Sequence, residues 1–420
     1  MGVRVPRVFS SAALAALTTL WLSVPAMAAQ FEFIYLDAPG TGFFDPTPVA
    51  PVGGNPGTTR GEQRRIAIEL AGQIWGSITL NTRPIRVRAV FGALSCSSGS
   101  AVLGSASSQS IFSDFGGDGL PDTWYVSALA DTLADRDLEA NEFDVRANFN
   151  GDIDDNNACL NNRNWYYGLD NDPAGNDIDF LNTIMHELGH GLGFLSLVNV
   201  STGALPSSRP TIFDRFAFDG GQMLYLSEMN NAQRAAAVRA GSNLVFDGPL
   251  TNQYAVELWQ SGFGFGGLTR LYAPSSVQPG SSLSHFDVSA FPNALMEPAL
   301  SSSLRATRDV DLTPNFMADI GWPNADTDGD LVTDVNDNCV LAPNVDQIDS
   351  DNDDFGNACD PDLNGDGIVN AADLGIMRLR FFSADPVADL NSDGVVNASD
   401  LGLMRSAFFR APGPTGLIFP

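Results

Sequence analysis

The sequence predicts a mixed α+β domain over residues 29–324, followed by a small module of loops and short helices over 325–413. Three observations predict it. Segments with helical spacing and segments with strand alternation are interspersed through the first part. The composition breaks abruptly near Asn324, and beyond it lies an internal duplication.

The elements follow in chain order. Residues 1–28 read as an export signal: Arg4 and Arg7 precede an apolar run from Ala12 to Val24, and Ala26-Met27-Ala28 offers small residues for cleavage. The mature chain is then expected outside the cytoplasm, secreted or at the cell surface. No later stretch is apolar for long enough to predict a transmembrane segment. Residues 38–59 are rich in Gly and Pro and predict irregular structure. Ile66, Leu70 and Ile74 give residues 60–75 one apolar helix face, and residues 85–91 and 143–149 alternate like half-buried strands. Residues 122–137 are a mixed helical stretch. Residues 177–192 carry Phe180, Ile184, Leu188 and Leu192 on one face behind acidic residues, which predicts a helix with a charged start. Residues 197–283 are punctuated by Gly and Ser, with one clear helix near 232–240. The domain closes near Trp322.

Charge restricts the partners. The chain has 22 basic residues, all of them Arg, against 50 acidic ones, a net of −28. Such a polyanion is repelled by phosphate backbones, so no nucleic-acid partner is expected, and lysine chemistry is absent. The four cysteines are Cys96, Cys159, Cys339 and Cys359. The break at Asn324 divides them two and two, favouring Cys96–Cys159 and Cys339–Cys359. Four thiolates on one metal is the weaker alternative, because no CxxC occurs.

Only three histidines are present, and two lie in His186-Glu187-Leu188-Gly189-His190. Residues four apart share a helix face, so both imidazoles can reach one ion while Glu187 stands beside it to accept a proton from water. Zinc in such sites takes three protein ligands. Gly193 follows, but residue 196, where a compact HExxHxxGxxH motif places its third histidine, is Ser196. The remaining histidine, His285, lies in Ser284-His285-Phe286-Asp287, shortly before Leu295-Met296-Glu297-Pro298. A glutamate ligand (Glu228, Glu257 or Glu297) is the alternative, though none sits in an ExxxD context.

These segments resemble leishmanolysin-type metzincins, in which a long insertion displaces the third histidine. The resemblance covers roughly residues 30–322. It implies a zinc metalloendopeptidase with ligands His186, His190 and His285, general base Glu187, and Met296 as the Met-turn beneath the metal. Its substrate is then a protein or peptide. No tyrosine follows Met296, and no cysteine before Cys96 offers a zymogen switch. The rival expectation is an adhesion or scaffold protein whose metzincin-like domain is degenerate; Ser196 is the residue that favours it.

From residue 326 onward there are 18 Asp, no Glu and 4 Arg, half of the total net charge. Asp326, Asp328, Asp330, Asp334 and Asp337, then Asp349, Asp351 and Asp353, alternate with small residues, as suits a hard cation. Residues 325–360 resemble thrombospondin type 3 repeats, which implies bound calcium and a Cys339–Cys359 disulfide. Residues 362–382 and 389–409 are identical at 15 of 21 positions. Each forms an EF-hand-like loop: Asp362, Asn364, Asp366, Ile368 (through its carbonyl), Asn370 and Asp373 in the first, Asp389, Asn391, Asp393, Val395, Asn397 and Asp400 in the second. Asp at the twelfth position resembles dockerin type I modules, so residues 361–413 imply a calcium-bound module that docks on a cohesin-like scaffold or surface protein. Residues 414–420 are a short tail.

Overall fold

A computed structural model describes residues 30–413, except 82, 141, 156–157, 162, 174, 300–310, 324–331, 333–336, 341, 345–346, 352, 354 and 392. The predicted export signal therefore lies outside the described residues. The fold is mixed α and β.

The first sheet contains β1 (Phe31–Tyr35), β2 (Ile85–Gly92), β3 (Gly104–Ser108) and β4 (Val145–Asn150) in the order β1-β2-β4-β3. The first three strands in that order run parallel, and β3 lies antiparallel at the edge. In β2 the alternation is complete: Ile85, Val87, Ala89 and Phe91 are buried while the intervening residues are half-exposed. α1 (Arg60–Ile78) begins at a capping box, in which Thr59 accepts the Glu62 amide and Glu62 accepts the Thr59 amide. α2 (Ser127–Ala134) is shorter than the helical stretch expected there, because residues 125–126 are extended and pair with 111–112.

α3 (Phe180–Leu192) is buried along its whole length. Trp75 of α1 donates its indole N–H to the Met185 carbonyl in the middle of α3 at 3.1 Å, and Trp322 donates to the Leu192 carbonyl at its C-terminal end at 2.8 Å. These two bonds fix the C-terminal half of the helix between α1 and the segment around Trp322. Phe91, Phe149 and Phe180 meet with ring centroids 5.1–5.7 Å apart, locking α3 onto β2 and β4.

Residues 197–283 are more ordered than expected. They contain α4 (Ile212–Phe216), α5 (Asn231–Ala237) and α6 (Pro249–Leu258). They also contain a second, antiparallel sheet of β5 (Ala217–Asp219), β6 (Leu224–Tyr225), β7 (Leu244–Phe246) and β8 (Thr269–Arg270), in the order β6-β5-β7-β8. Phe213 and Phe246 from this region join Phe194, Phe286 and Phe316 in one aromatic cluster, so residues 197–283 share the domain core. α7 (Thr313–Asp319) ends the domain, its Asp319 accepting the Leu250 and Thr251 amides that start α6.

α8 (Ala371–Arg380) and α9 (Ala398–Ser406) follow the two duplicated loops and bury Met377 and Met404 in a separate small core. The repeats are cross-paired. Val369 of the first loop exchanges backbone hydrogen bonds with Phe409 and Arg410, while Val396 of the second does so with Phe382 and Ser383. Both disulfides form as expected, Cys96–Cys159 and Cys339–Cys359. Among the described residues no helix is long and apolar enough to cross a membrane.

Candidate metal centre

Asp179 caps α3 by accepting the Asn182 amide at 2.9 Å, and from there the helix presents His186 and His190 on one face. The helix stops at Gly193, whose φ of 125° is open to glycine and costly for other residues. A Cβ there would also stand 2.7 Å from Ile320 Cδ1. The chain then turns, and the Phe194 carbonyl returns to accept a hydrogen bond from His190 Nδ1 at 2.8 Å.

His285 arrives from just beyond residues 197–283. Its carbonyl accepts the Tyr272 amide, and the next residue, Phe286, donates to the Met296 carbonyl. The three Nε2 atoms lie 3.1, 3.2 and 3.3 Å from one another. Each ring has its Nδ1 on a backbone carbonyl: His186 on Leu295 at 2.7 Å, His190 on Phe194 and His285 on Ser281 at 2.8 Å. Nδ1 is therefore the protonated nitrogen, and all three Nε2 atoms are acceptors. They cannot hydrogen-bond one another. Burial, reinforced by the neighbouring imidazole His190, holds His186 neutral down to about 3. Burial also lowers His190 to about 4 and His285 well below the ordinary histidine range. Three converging lone pairs without a proton between them form a donor set for a metal ion.

Beneath the rings Met296 is fully buried, and a Cβ on Gly189 would lie 2.7 Å from its Sδ. The turn that carries Met296 is held by side chains. Asp311 accepts the Leu295 amide at 2.5 Å and Glu297 accepts the Ala294 amide at 2.9 Å. Glu297 is thus engaged in its own turn, and Glu228 caps another by accepting the Tyr225 amide. Glu187 is 7% exposed; burial raises its carboxyl to about 8, and the Ala106 amide of β3 partly offsets that. Its carboxyl stands against Gly104, where a Cβ would be 3.1 Å from Oε1.

The Ser196 hydroxyl is engaged away from the three imidazoles, with Asp214. It donates to Asp214 Oδ1 at 2.6 Å, and the Ser196 amide donates to Ser284 Oγ at 3.0 Å. This role had no sequence signal, since the partners lie 18 and 88 residues away.

Asp349, Asp351 and Asp353 bring their carboxylates together as a second candidate metal group. Burial, with Asp353 and Asp349 alongside, raises the Asp351 carboxyl. Asp326, Asp328, Asp330 and Asp334 lie outside the described residues. Asp337 is buried, its Oδ1 accepting from the Cys339 amide and the Gln347 side chain. In the duplicated loops Asp362 accepts the Asp366 and Gly367 amides, and Asp389 accepts those of Asp393 and Gly394. Gly367 and Gly394 have φ of 83° and 89°, as a sharp turn at the sixth loop position requires. Asn370 and Asn397 cap α8 and α9, and donate to the Ile368 and Val395 carbonyls. Asp373 Oδ1 is buried without a hydrogen-bond donor, with the Asp362 carboxylate nearby. Acceptors facing acceptors suit a cation here too. Asn364, Asp366, Asn391, Asp393 and Asp400 lie in the same two loops.

No family model and no solved structure matches the chain. A partial similarity links it to thrombospondin-4-B of Danio rerio, 42% identical over 94 residues. The match covers 19% of this chain and 10% of that protein, so the chain spans about a tenth of its relative's length.

Proposed function

We propose that the chain is an exported zinc-dependent endopeptidase of the leishmanolysin-like metzincin type, with a calcium-binding C-terminal anchor. The observation that carries this reading is the convergence of three neutral imidazoles, each with Nε2 free to coordinate, beside a buried carboxyl. A tetrahedral zinc with bonds of about 2.0–2.1 Å separates its ligand nitrogens by roughly 3.3 Å, close to the spacing here. When bound, zinc would supply Lewis acidity towards the scissile carbonyl and the attacking water.

The protein's own groups do the rest. Glu187, buried next to His186 on the same helix, takes the proton of the attacking water and returns it to the leaving amine. Edge strand β3, which lies against Glu187, offers a ladder for an extended peptide substrate. The two disulfides suit an oxidising compartment outside the cytoplasm. The acidic clusters and the thrombospondin similarity support calcium as the second metal, and the duplicated module supports docking on a cohesin-like scaffold. The adhesion-protein reading rested on Ser196, and a serine engaged with Asp214 is no mark of a decayed ligand.

Zinc analysis and casein digestion of the purified protein test this reading. Glu187→Gln is expected to keep zinc and lose hydrolysis by roughly 10²–10⁴-fold. Normal turnover in that variant, or a wild-type protein that takes up no zinc, rejects the proposal.

A further inference from the structure

The chain leaves the metal centre at residue 196 and returns at residue 284, and those two residues touch. The Ser196 amide donates to Ser284 Oγ at 3.0 Å. The Ser196 hydroxyl donates to Asp214 at 2.6 Å and accepts the Val198 amide at 3.2 Å. Asp214 is fully buried, and its other oxygen accepts the Thr211 amide at 2.8 Å as part of the capping box that starts α4. Ser284 is 8% exposed and immediately precedes His285. One residue earlier, Leu283 is buried with φ of 81°, a conformation that a leucine adopts only when its surroundings impose it.

From this geometry we infer that Asp214, Ser196 and Ser284 form a clasp that delivers His285 to the metal. They act as positioning residues, not ligands. The inference rests on the three-histidine metal reading above. Residues 197–283 already share the domain core, so what the clasp adds is local: it fixes the last residues before His285, and a ligand held in place loses less freedom when metal binds. Ser196 thus does indirectly what a histidine at that position does in the compact motif: it fixes the third imidazole.

The test measures zinc affinity of the full chain by competition with a chelating indicator, together with the absorption spectrum of the cobalt-substituted protein. Variants are H285A, S196A, S284A, S196A/S284A and S284T. H285A should lose most of the affinity. S196A and S284A should each weaken zinc about tenfold, the size expected for a residue that orients a ligand. Their cobalt spectra should shift towards that of H285A, and the double variant should lose less than the product of the two. S284T keeps the hydroxyl and should bind as wild type does. If S284A does not fold, S196A and S284T carry the comparison. Wild-type affinity and spectrum in S196A and S284A overturn the clasp, as does equal loss in S284T and S284A, while leaving the metal centre standing. A wild-type chain that binds no zinc overturns the metal reading and the clasp with it.

Discussion

Asp131 shows how one buried carboxyl couples this fold to pH. It lies on α2, 9% exposed, and burial raises it to about 7; the Leu138 amide opposes the shift, while Asp144 and Asp137 add to it. The folded state therefore holds this proton far more tightly than the unfolded chain, where an aspartate titrates near 4. Its contribution to stability is complete below about pH 4 and is lost as pH rises through about 7. Asp131→Asn should lose less stability than wild type between pH 5 and pH 8, read from urea midpoints; equal losses would show that Asp131 is not the group responsible. At this scale the sequence disclosed His186, Glu187 and His190, because helical spacing alone brings them together. His285 was legible through scarcity, being the only histidine left. Asp214 and Ser284 were not, because a hydrogen bond between distant side chains leaves no periodic trace.

Among the elements, α3 depends on glycine for its closeness to the sheet. A Cβ at Gly191 would stand 2.5 Å from Val145 Cγ1 and 3.1 Å from Cγ2, on a branched side chain with little freedom to move. Gly191→Ala gains about 1 kcal/mol of helix propensity. Overpacking should outweigh that gain, for a net loss of about 1–2 kcal/mol. Adding Val145→Ala should recover part of it, so a thermal-unfolding cycle should be clearly non-additive; simple additivity would mean that the contact is relieved some other way. Helices α1 and α3 could be foreseen because they are long enough to show a period. The second sheet could not, since its strands are two or three residues long and alternation needs more. Its strands exist because the aromatic cluster around Phe213, Phe246 and Phe316 holds them, which is a tertiary cause.

At the scale of the whole molecule, the described residues form two separate hydrophobic cores, one in the large domain and one in the duplicated module. The smaller is built around Leu363, Val369, Met377, Leu390, Val396 and Met404, too little apolar surface to hold some fifty residues together without help. On the calcium reading proposed above, EGTA should abolish a low-temperature transition in calorimetry and leave the main one close to its place. A single transition unaffected by chelation would contradict that division. The duplication was plain from the sequence, whereas the cross-pairing of Val369 and Val396 was not, since each repeat on its own matches a complete loop and helix.

The distance between the second and third imidazoles along the chain also sets an order of events. A polypeptide still being synthesised displays His186 and His190 long before His285 exists, so any fragment ending earlier holds an incomplete donor set. The three-imidazole donor set is therefore absent from nascent and truncated chains through chain order alone.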